Sequence, residues 1–297
     1  MMGTSICYLN GKFVDVAKAR ISPLDRGFLL GEGLFETWRT YRGRPYAIAE
    51  HLARMTRSAG RIGIDFDPDE PWQERSVELA RRNRMLDSDG AVRMTITRGR
   101  GPVSLVLERT EDPTRLMLFR PLEPGLGAAK RDGVAVHLVS VGSGVSERQR
   151  QIKSLNYLPA VMARTQARER GCFEALYHLD CGKVLEGTTS NVFAVKRGVV
   201  RTTPISMGLL PGVTRHKVIK LARSLAKLRE EVLTLDDLAG ADEVFLTSSS
   251  IEIVPVVRVG RRKVGNGRVG ELTRGLQRRY RENVARELDL PIELLGE

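Results

Sequence analysis

Cysteine is scarce in this chain: three residues in 297, Cys7, Cys172 and Cys181, odd in number and far apart. They form no CxxC and no Cys/His cluster, so neither a disulfide framework nor a zinc module is expected, and no metal site is assigned. Aromatic residues make up only 5% of the chain, too few for a platform that stacks single-stranded bases. No apolar run approaches the roughly eighteen residues that would span a bilayer. The start, MMGTSICYLNGKFVDV, lacks the charged segment and long apolar stretch of a secretory leader. A cytoplasmic protein with no membrane partner is therefore expected. A GxxxxGK[ST] loop is also missing, which counts against a nucleotide phosphate as ligand.

What is present is ordinary globular composition, 41% hydrophobic and 28% charged, enough for one large domain or two modest ones. The net charge is +12, but arginine is interleaved with acids along the whole chain. The densest cluster, RGLQRRYR at 274–281, lies where Leu272, Leu276, Tyr280, Val284 and Leu288 recur every four residues. That is an amphipathic helix with a solvated basic face. A basic nucleic-acid-binding protein is the alternative outside the enzymes, and a nucleic-acid partner is not assigned.

Along the chain, CYLNGKFV reads as a hairpin with an Asn-Gly turn. LFETWRTY ends at an Arg42-Gly43 turn, and residues 48–61 form an amphipathic helix with Leu52, Met55 and Ala59 on one face. Strands are expected at 92–99 and 115–122. PLEPGLGAAKRDG reads as a linker, dividing a small N-terminal domain, 1–122, from a large domain, 134–297, across residues 123–133. The second part has strands at 134–141, EALYHL, KVLEG, NVFAV, VVRTTP, 243–249 and 251–258. Its helices are expected at 156–170, from Thr214 to about Leu228, and at the C-terminus. Short strands mixed with few helices, without regular βαβ alternation, indicate an α+β, barrel-like architecture.

Four places suit chemistry. Lys153 is the sole lysine between 130 and 183 and lies between an apolar strand and an apolar helix. A partly desolvated lysine can form a Schiff base with a carbonyl, although a surface lysine at a helix start fits the local sequence too. Glu186 follows the hydrophobic KVL and could enter a pocket or cap a turn. In LLPGVTRHKVIKLA a Pro-Gly turn opens a helix near Thr214, whose free N–H groups could cradle a phosphate or be an ordinary capped terminus. FLTSSS places hydroxyls at a strand end, suited to a phosphate or to a polar turn. Pyridoxal 5'-phosphate would use all four: a lysine for its aldehyde, an acid for its ring nitrogen and an anion cradle.

At this point the chain resembles the class IV, or fold type IV, pyridoxal-phosphate enzymes, which include branched-chain and D-amino-acid aminotransferases and 4-amino-4-deoxychorismate lyase. DRGFLLGEGLFET (25–37), EHLARM (50–55), KSLNY (153–157), LEGTTSN (185–191), LLPGVTR (209–215) and SSSIEIVPV (248–256) carry the likeness, in the family's order. The resemblance implies a small α/β N-terminal domain, a larger pseudo-barrel domain and the cofactor in a cleft between them, in a homodimer. It implies Lys153 as the Schiff-base lysine that also shuttles the substrate proton, and Glu186 as partner of the pyridinium nitrogen. It implies Arg54, backbone N–H groups of Val213 and Thr214, and the Ser248 and Ser249 hydroxyls as phosphate contacts. Leu210 would pack on the ring and Tyr157 would reach the ring hydroxyl; KSLNY is one residue shorter than the branched-chain motif there.

The branch is less sharply drawn. A transaminase binds the substrate carboxylate, commonly by arginine. The D-amino-acid trap positions here are Val103 and Leu105, and the branched-chain tyrosine positions are Leu30 and Ala91. Phe35 fits both branches. Arg93 matches a branched-chain arginine, and Arg93, Thr95 and Thr97 alternate with Val92, Met94 and Ile96. Arg98 and Arg100 are the other substrate candidates. The expectation is an aminotransferase acting on a small amino acid and a 2-oxo acid. The lyase, for which Thr37 could supply a hydroxyl, is the alternative.

Overall fold

The computed structural model describes residues 5–107, 112–142 and 151–295. The chain forms two compact units, one of residues up to Leu122 with Ile152–Asn156, the other of Glu123–Gln151 with Tyr157–Leu295.

The first unit is built on a six-stranded sheet in the order Lys12–Asp15, Ile6–Leu9, Arg115–Pro121, Gly90–Thr97, Gly33–Tyr41, Arg44–Pro45, antiparallel throughout. Asn10 and Gly11 take positive φ, 46° and 91°, which the tight hairpin between the first two strands requires. The amphipathic helix Ile48–Ile62 and the helix Trp72–Arg82 share a core with the sheet. Trp38, Met55, Ala59, Trp72, Leu79, Val92, Met94, Ile96 and Phe119 are buried there. Trimming an aromatic in such a core to Ala costs about 3–5 kcal/mol. Val92, Met94 and Ile96 point into this core as their alternation predicts, so Arg93 and Thr95 project from the other face.

The segment Ile152–Asn156 belongs to this unit, although 134–297 reads as one domain from the sequence. The reason is backbone hydrogen bonding: Phe35 N–H donates to Lys153 C=O at 3.0 Å and Leu155 N–H to Gly33 C=O at 3.0 Å. A Cβ on Gly33 would lie 2.7 Å from the Ile96 carbonyl oxygen and 2.5 Å from Leu155 Cδ1, so this close approach needs a glycine.

The second unit holds a nine-stranded mixed sheet, in the order Lys227–Glu230, Val199–Thr202, Asn191–Lys196, Glu243–Ser248, Glu252–Val259, Val134–Ser140, Glu174–His178, Val184–Gly187, with Arg262–Lys263 paired to Glu252–Val259. Its two ends are stitched together. Val184 N–H donates to Leu233 C=O, Thr203 Oγ1 donates to Val184 C=O, and Lys183 bridges Thr234. The sheet thus curls into a half-barrel. Helices Leu158–Glu169, Val213–Ala222 and Glu271–Leu288 belong to this unit. Leu276, Tyr280 and Val284 are the buried stripe of the last.

Two elements differ from expectation. The Pro/Gly-rich 123–133 contains a helix, Leu126–Asp132, because Leu126 and Lys130, one turn apart, both find buried partners. The helix starting near Thr214 stops at Ala222. Residues Lys227–Glu230 instead form a strand parallel to Val199–Thr202, whose backbone edge supplies the hydrogen bonds.

Candidate active site

In the first unit, strand Gly33–Tyr41 organises the chemistry. Its outer face carries Phe35, 3% exposed, with the Arg93 guanidinium 3.5 Å and the Lys153 amine 4.4 Å from the ring centroid. A guanidinium and an amine against one aromatic ring make a defined electrostatic feature. Its inner face carries Glu36, 1% exposed, against helix Ile48–Ile62. Arg54 grips that carboxylate as a fork, Nε to Oε1 and Nη2 to Oε2, both at 2.7 Å. His51 Nδ1 lies 2.7 Å from Oε2 and donates to it, since an ionised carboxylate only accepts. Burial pushes the Glu36 carboxyl upward, but the Arg54 charge and hydrogen bonds, with His51, hold it well below its usual range. Burial pushes His51 down, Glu36 raises it, and with Arg54 and Lys153 also pushing down, the imidazole is held below its usual value.

Of the three arginines considered for the substrate carboxylate, the structure brings Arg93 to Lys153 and does not bring the others there. Arg98 is buried. It donates from Nε to Glu32 at 2.6 Å, from Nη1 to Gly63 C=O at 2.9 Å and from Nη2 to Ile62 C=O. It ties the C-terminus of helix Ile48–Ile62 to Glu32. Arg100 is exposed, and its backbone bridges Asp25. The DRG run is architectural in the same way. Asp25 is buried, caps the helix Arg26–Leu30 and accepts from Thr97 and Thr114 hydroxyls at 2.7 and 2.6 Å. Arg26 forks onto Glu32 and donates to the carbonyls of Pro102, Ser104 and Val106, fixing that loop.

In the second unit, Glu186 is the penultimate residue of strand Val184–Gly187, half-buried. The Leu210 N–H lies 3.2 and 3.3 Å from its two oxygens, and Asn191 Nδ2 donates to Oε2 at 3.0 Å. Accepting at both oxygens suits an ionised carboxylate. Two residues beyond Leu210, Gly212 caps helix Val213–Ala222 with no side chain to satisfy the first N–H groups. Val213 and Thr214 are buried in that first turn. Asn191 lies opposite Thr247 in the sheet, next to Ser248, which ends its strand; Ser249 follows in the turn. Glu186, the Leu210–Thr214 turn and the two serines are thus approached from neighbouring strand ends of one sheet. Tyr157 precedes helix Leu158–Glu169, half-buried. Tyr177, from the strand Glu174–His178, is pushed up to about 12 by burial and by the charges of Glu174, Tyr157 and Glu186.

This donor set fits pyridoxal phosphate: an acid oriented by a backbone N–H and an amide for the ring nitrogen, and a glycine-capped helix N-terminus beside hydroxyls for the phosphate. A primary amine, Lys153, is present for the aldehyde.

Sequence reading missed Glu36 as the partner of Arg54, and it missed His51, Glu174 and Asn191. His51 and Arg54, three apart on the apolar side of an amphipathic helix, were the available signal, because polar groups so placed need a buried partner.

The chain belongs to the class IV aminotransferases: that family's profile, described as "Amino-transferase class IV", matches residues 33–259. Within the class it is of the branched-chain or D-amino-acid type, and its fold is fold type IV. It is 40% identical over 278 residues to a putative branched-chain-amino-acid aminotransferase of Methanocaldococcus jannaschii, covering 93% of this chain and 95% of that one. It is 34% identical over 290 residues to D-alanine aminotransferase of Staphylococcus aureus, covering 93% and 97%. Among solved structures it is similar to the branched-chain aminotransferase of Thermoproteus uzoniensis with norvaline, TM-score 0.85, 30% identity, covering 95% of each chain. A similar likeness holds to the branched-chain amino acid aminotransferase of Thermobaculum terrenum in its PLP form, TM-score 0.82, 26% identity, covering 96% of this chain and 95% of that one.

Proposed function

We propose that this protein is a pyridoxal-phosphate aminotransferase that moves an amino group between a small amino acid, of the D- or branched-chain type, and a 2-oxo acid. The observation that carries this is the cluster of Lys153, Phe35 and Arg93: an amine and a guanidinium against one buried ring. When bound, the cofactor supplies an electron sink for the carbanion left at the substrate Cα. Lys153 would hold the cofactor through its amine and would be the base positioned for the substrate Cα proton. Arg93 receives the substrate carboxylate, and Phe35 stacks on Arg93 and excludes water from that side. Glu186 keeps a proton on the ring nitrogen. Val213, Thr214, Ser248, Ser249 and Arg54 hold the phosphate, with Glu36 and His51 fixing the plane of the Arg54 guanidinium. Leu210 packs on the ring, and Tyr157 donates to its hydroxyl.

A homodimer is part of this proposal. It is supported by apolar side chains left on the surface of the first unit: Leu24, Phe28, Val103, Leu105, Val106 and Leu107. Among the described residues no helix is long and apolar enough to cross a membrane. The cytoplasmic location expected from the sequence stays within the proposal.

The test is absorbance of the protein with pyridoxal phosphate, before and after D-alanine or L-leucine. The expected result is a yellow band bleached by one enantiomer series and restored by an oxo acid. Lys153→Ala should lower turnover by about 10²–10⁴-fold, the usual worth of a placed acid–base group. A protein that stays colourless with the cofactor, or a Lys153→Ala variant with wild-type rates, overturns the proposal.

A further inference from the structure

We infer that Asn191 is a positioning residue that sets two cofactor contacts at once: the Glu186 carboxylate and the turn that opens helix Val213–Ala222. The inference rests on the reading above that Glu186 and this helix start contact pyridoxal phosphate.

Asn191 is 5% exposed and begins the strand Asn191–Lys196. Its Nδ2 donates to Glu186 Oε2 at 3.0 Å and to Leu210 C=O at 3.2 Å. The Leu210 N–H turns back onto the Glu186 carboxylate. Amide, carboxylate and the backbone N–H and C=O of Leu210 therefore close a ring of hydrogen bonds. The amide cannot be flipped, because its oxygen would then face two acceptors.

The Asn191 oxygen points the other way, toward Gly212. A Cβ on Gly212 would lie 2.1 Å from Asn191 Oδ1. Gly212 has φ −63° and ψ 131°, values open to any residue, so glycine is required there by the space Asn191 occupies and not by the backbone. Gly212 is also the cap of helix Val213–Ala222, and its carbonyl accepts from His216 N–H. Moving Asn191 therefore moves both Glu186 and the first N–H groups of the helix.

The amide is itself backed by a rigid turn. Buried Glu174 accepts from the hydroxyls of Thr188, Thr189 and Ser190 at 2.5, 3.0 and 3.2 Å, and these residues join Glu186's strand to Asn191's. Buried networks that are fully satisfied hold one geometry.

The test compares Kd for three cofactors: pyridoxal phosphate, pyridoxal without the phosphate, and a carbocyclic analogue with CH in place of the ring nitrogen. In the wild type each deletion weakens binding. In Asn191→Ala both penalties should shrink, each by roughly tenfold, the scale of one hydrogen bond to a charged group. Gly212→Ala should show the same pattern, since its methyl displaces the amide. Adding Gly212→Ala to Asn191→Ser should cost nothing beyond Asn191→Ser, because the oxygen it strikes is gone. Asn191→Ser carries the comparison if Asn191→Ala fails to fold.

If only the nitrogen penalty shrinks, Asn191 serves Glu186 alone and the shared role is overturned. Equal weakening of all three ligands, or Gly212→Ala binding as wild type, overturns it too. A wild type that binds no pyridoxal phosphate overturns the cofactor reading itself, an outcome distinct from an unaltered Asn191 variant.

Discussion

Glu36 in the first unit and Glu186 in the second are both carboxylates held by hydrogen bonds, yet the donors that meet them differ in kind. Glu36 is sealed at 1% exposure and met by the Arg54 fork and His51. Glu186 is half-buried and met by a backbone N–H and an amide. The Arg54 guanidinium neutralises the Glu36 carboxylate and makes it a structural anchor. The Leu210 N–H and the Asn191 amide that meet Glu186 are neutral and orient the carboxylate by hydrogen bonding. The same residue type thus sits among ionic partners in one unit, and in the other among the donors that the proposed cofactor role of Glu186 uses.

The contrast is broken most forcefully at Arg54. Arg54→Met strands a buried carboxylate and should destabilise the protein by about 3–5 kcal/mol, read from urea unfolding. A loss below about 1 kcal/mol would show that Glu36 is not held by that pair. Glu186→Gln should leave the unfolding midpoint nearly unchanged and lower turnover by roughly tenfold to a hundredfold. A large stability loss with unchanged turnover would reverse the assignment of the two acids.

Smaller effects follow from pH. The folded state holds His51 below its ordinary value, so its contribution to stability is present above about pH 6.5 and is lost as pH falls further. His51→Asn should flatten this acid limb in part, His137 being shifted the same way by burial. An unchanged limb would contradict the buried neutral imidazole. Tyr177 is raised from 10.0 to about 12. Its contribution is complete below about pH 10 and is lost as pH rises toward 12. Tyr177→Phe should weaken that alkaline loss in thermal melts at high pH, and a wild-type alkaline profile would remove Tyr177 from the group near Glu186.

The legible parts of the sequence were those governed by local periodicity. The Asn10-Gly11 hairpin, the helix at 48–62, the C-terminal helix and the Val92/Met94/Ile96 alternation all follow from side-chain pattern. The Lys153 and Glu186 motifs mark the family because they lie in short, ordered runs, and their chemical roles rest on the proposal above. What stayed hidden depends on partners distant in the chain. Arg98 reads as a loop arginine beside glycines, and only the fold reveals Glu32 and the Ile62 and Gly63 carbonyls that consume it. Lys227–Glu230 became a strand because Val199–Thr202 offered an edge. The helix at Leu126–Asp132 formed despite flanking glycines because Lys130 pairs with Glu252, more than a hundred residues away.

The central claim is that Lys153 carries the cofactor, and it can be read at one residue. The protein is incubated with pyridoxal phosphate, reduced with borohydride, digested and mapped by mass spectrometry. The account predicts a phosphopyridoxyl mass on the peptide containing Lys153, absent when excess amino acid has converted the enzyme beforehand. A label on another lysine, or none, would contradict it.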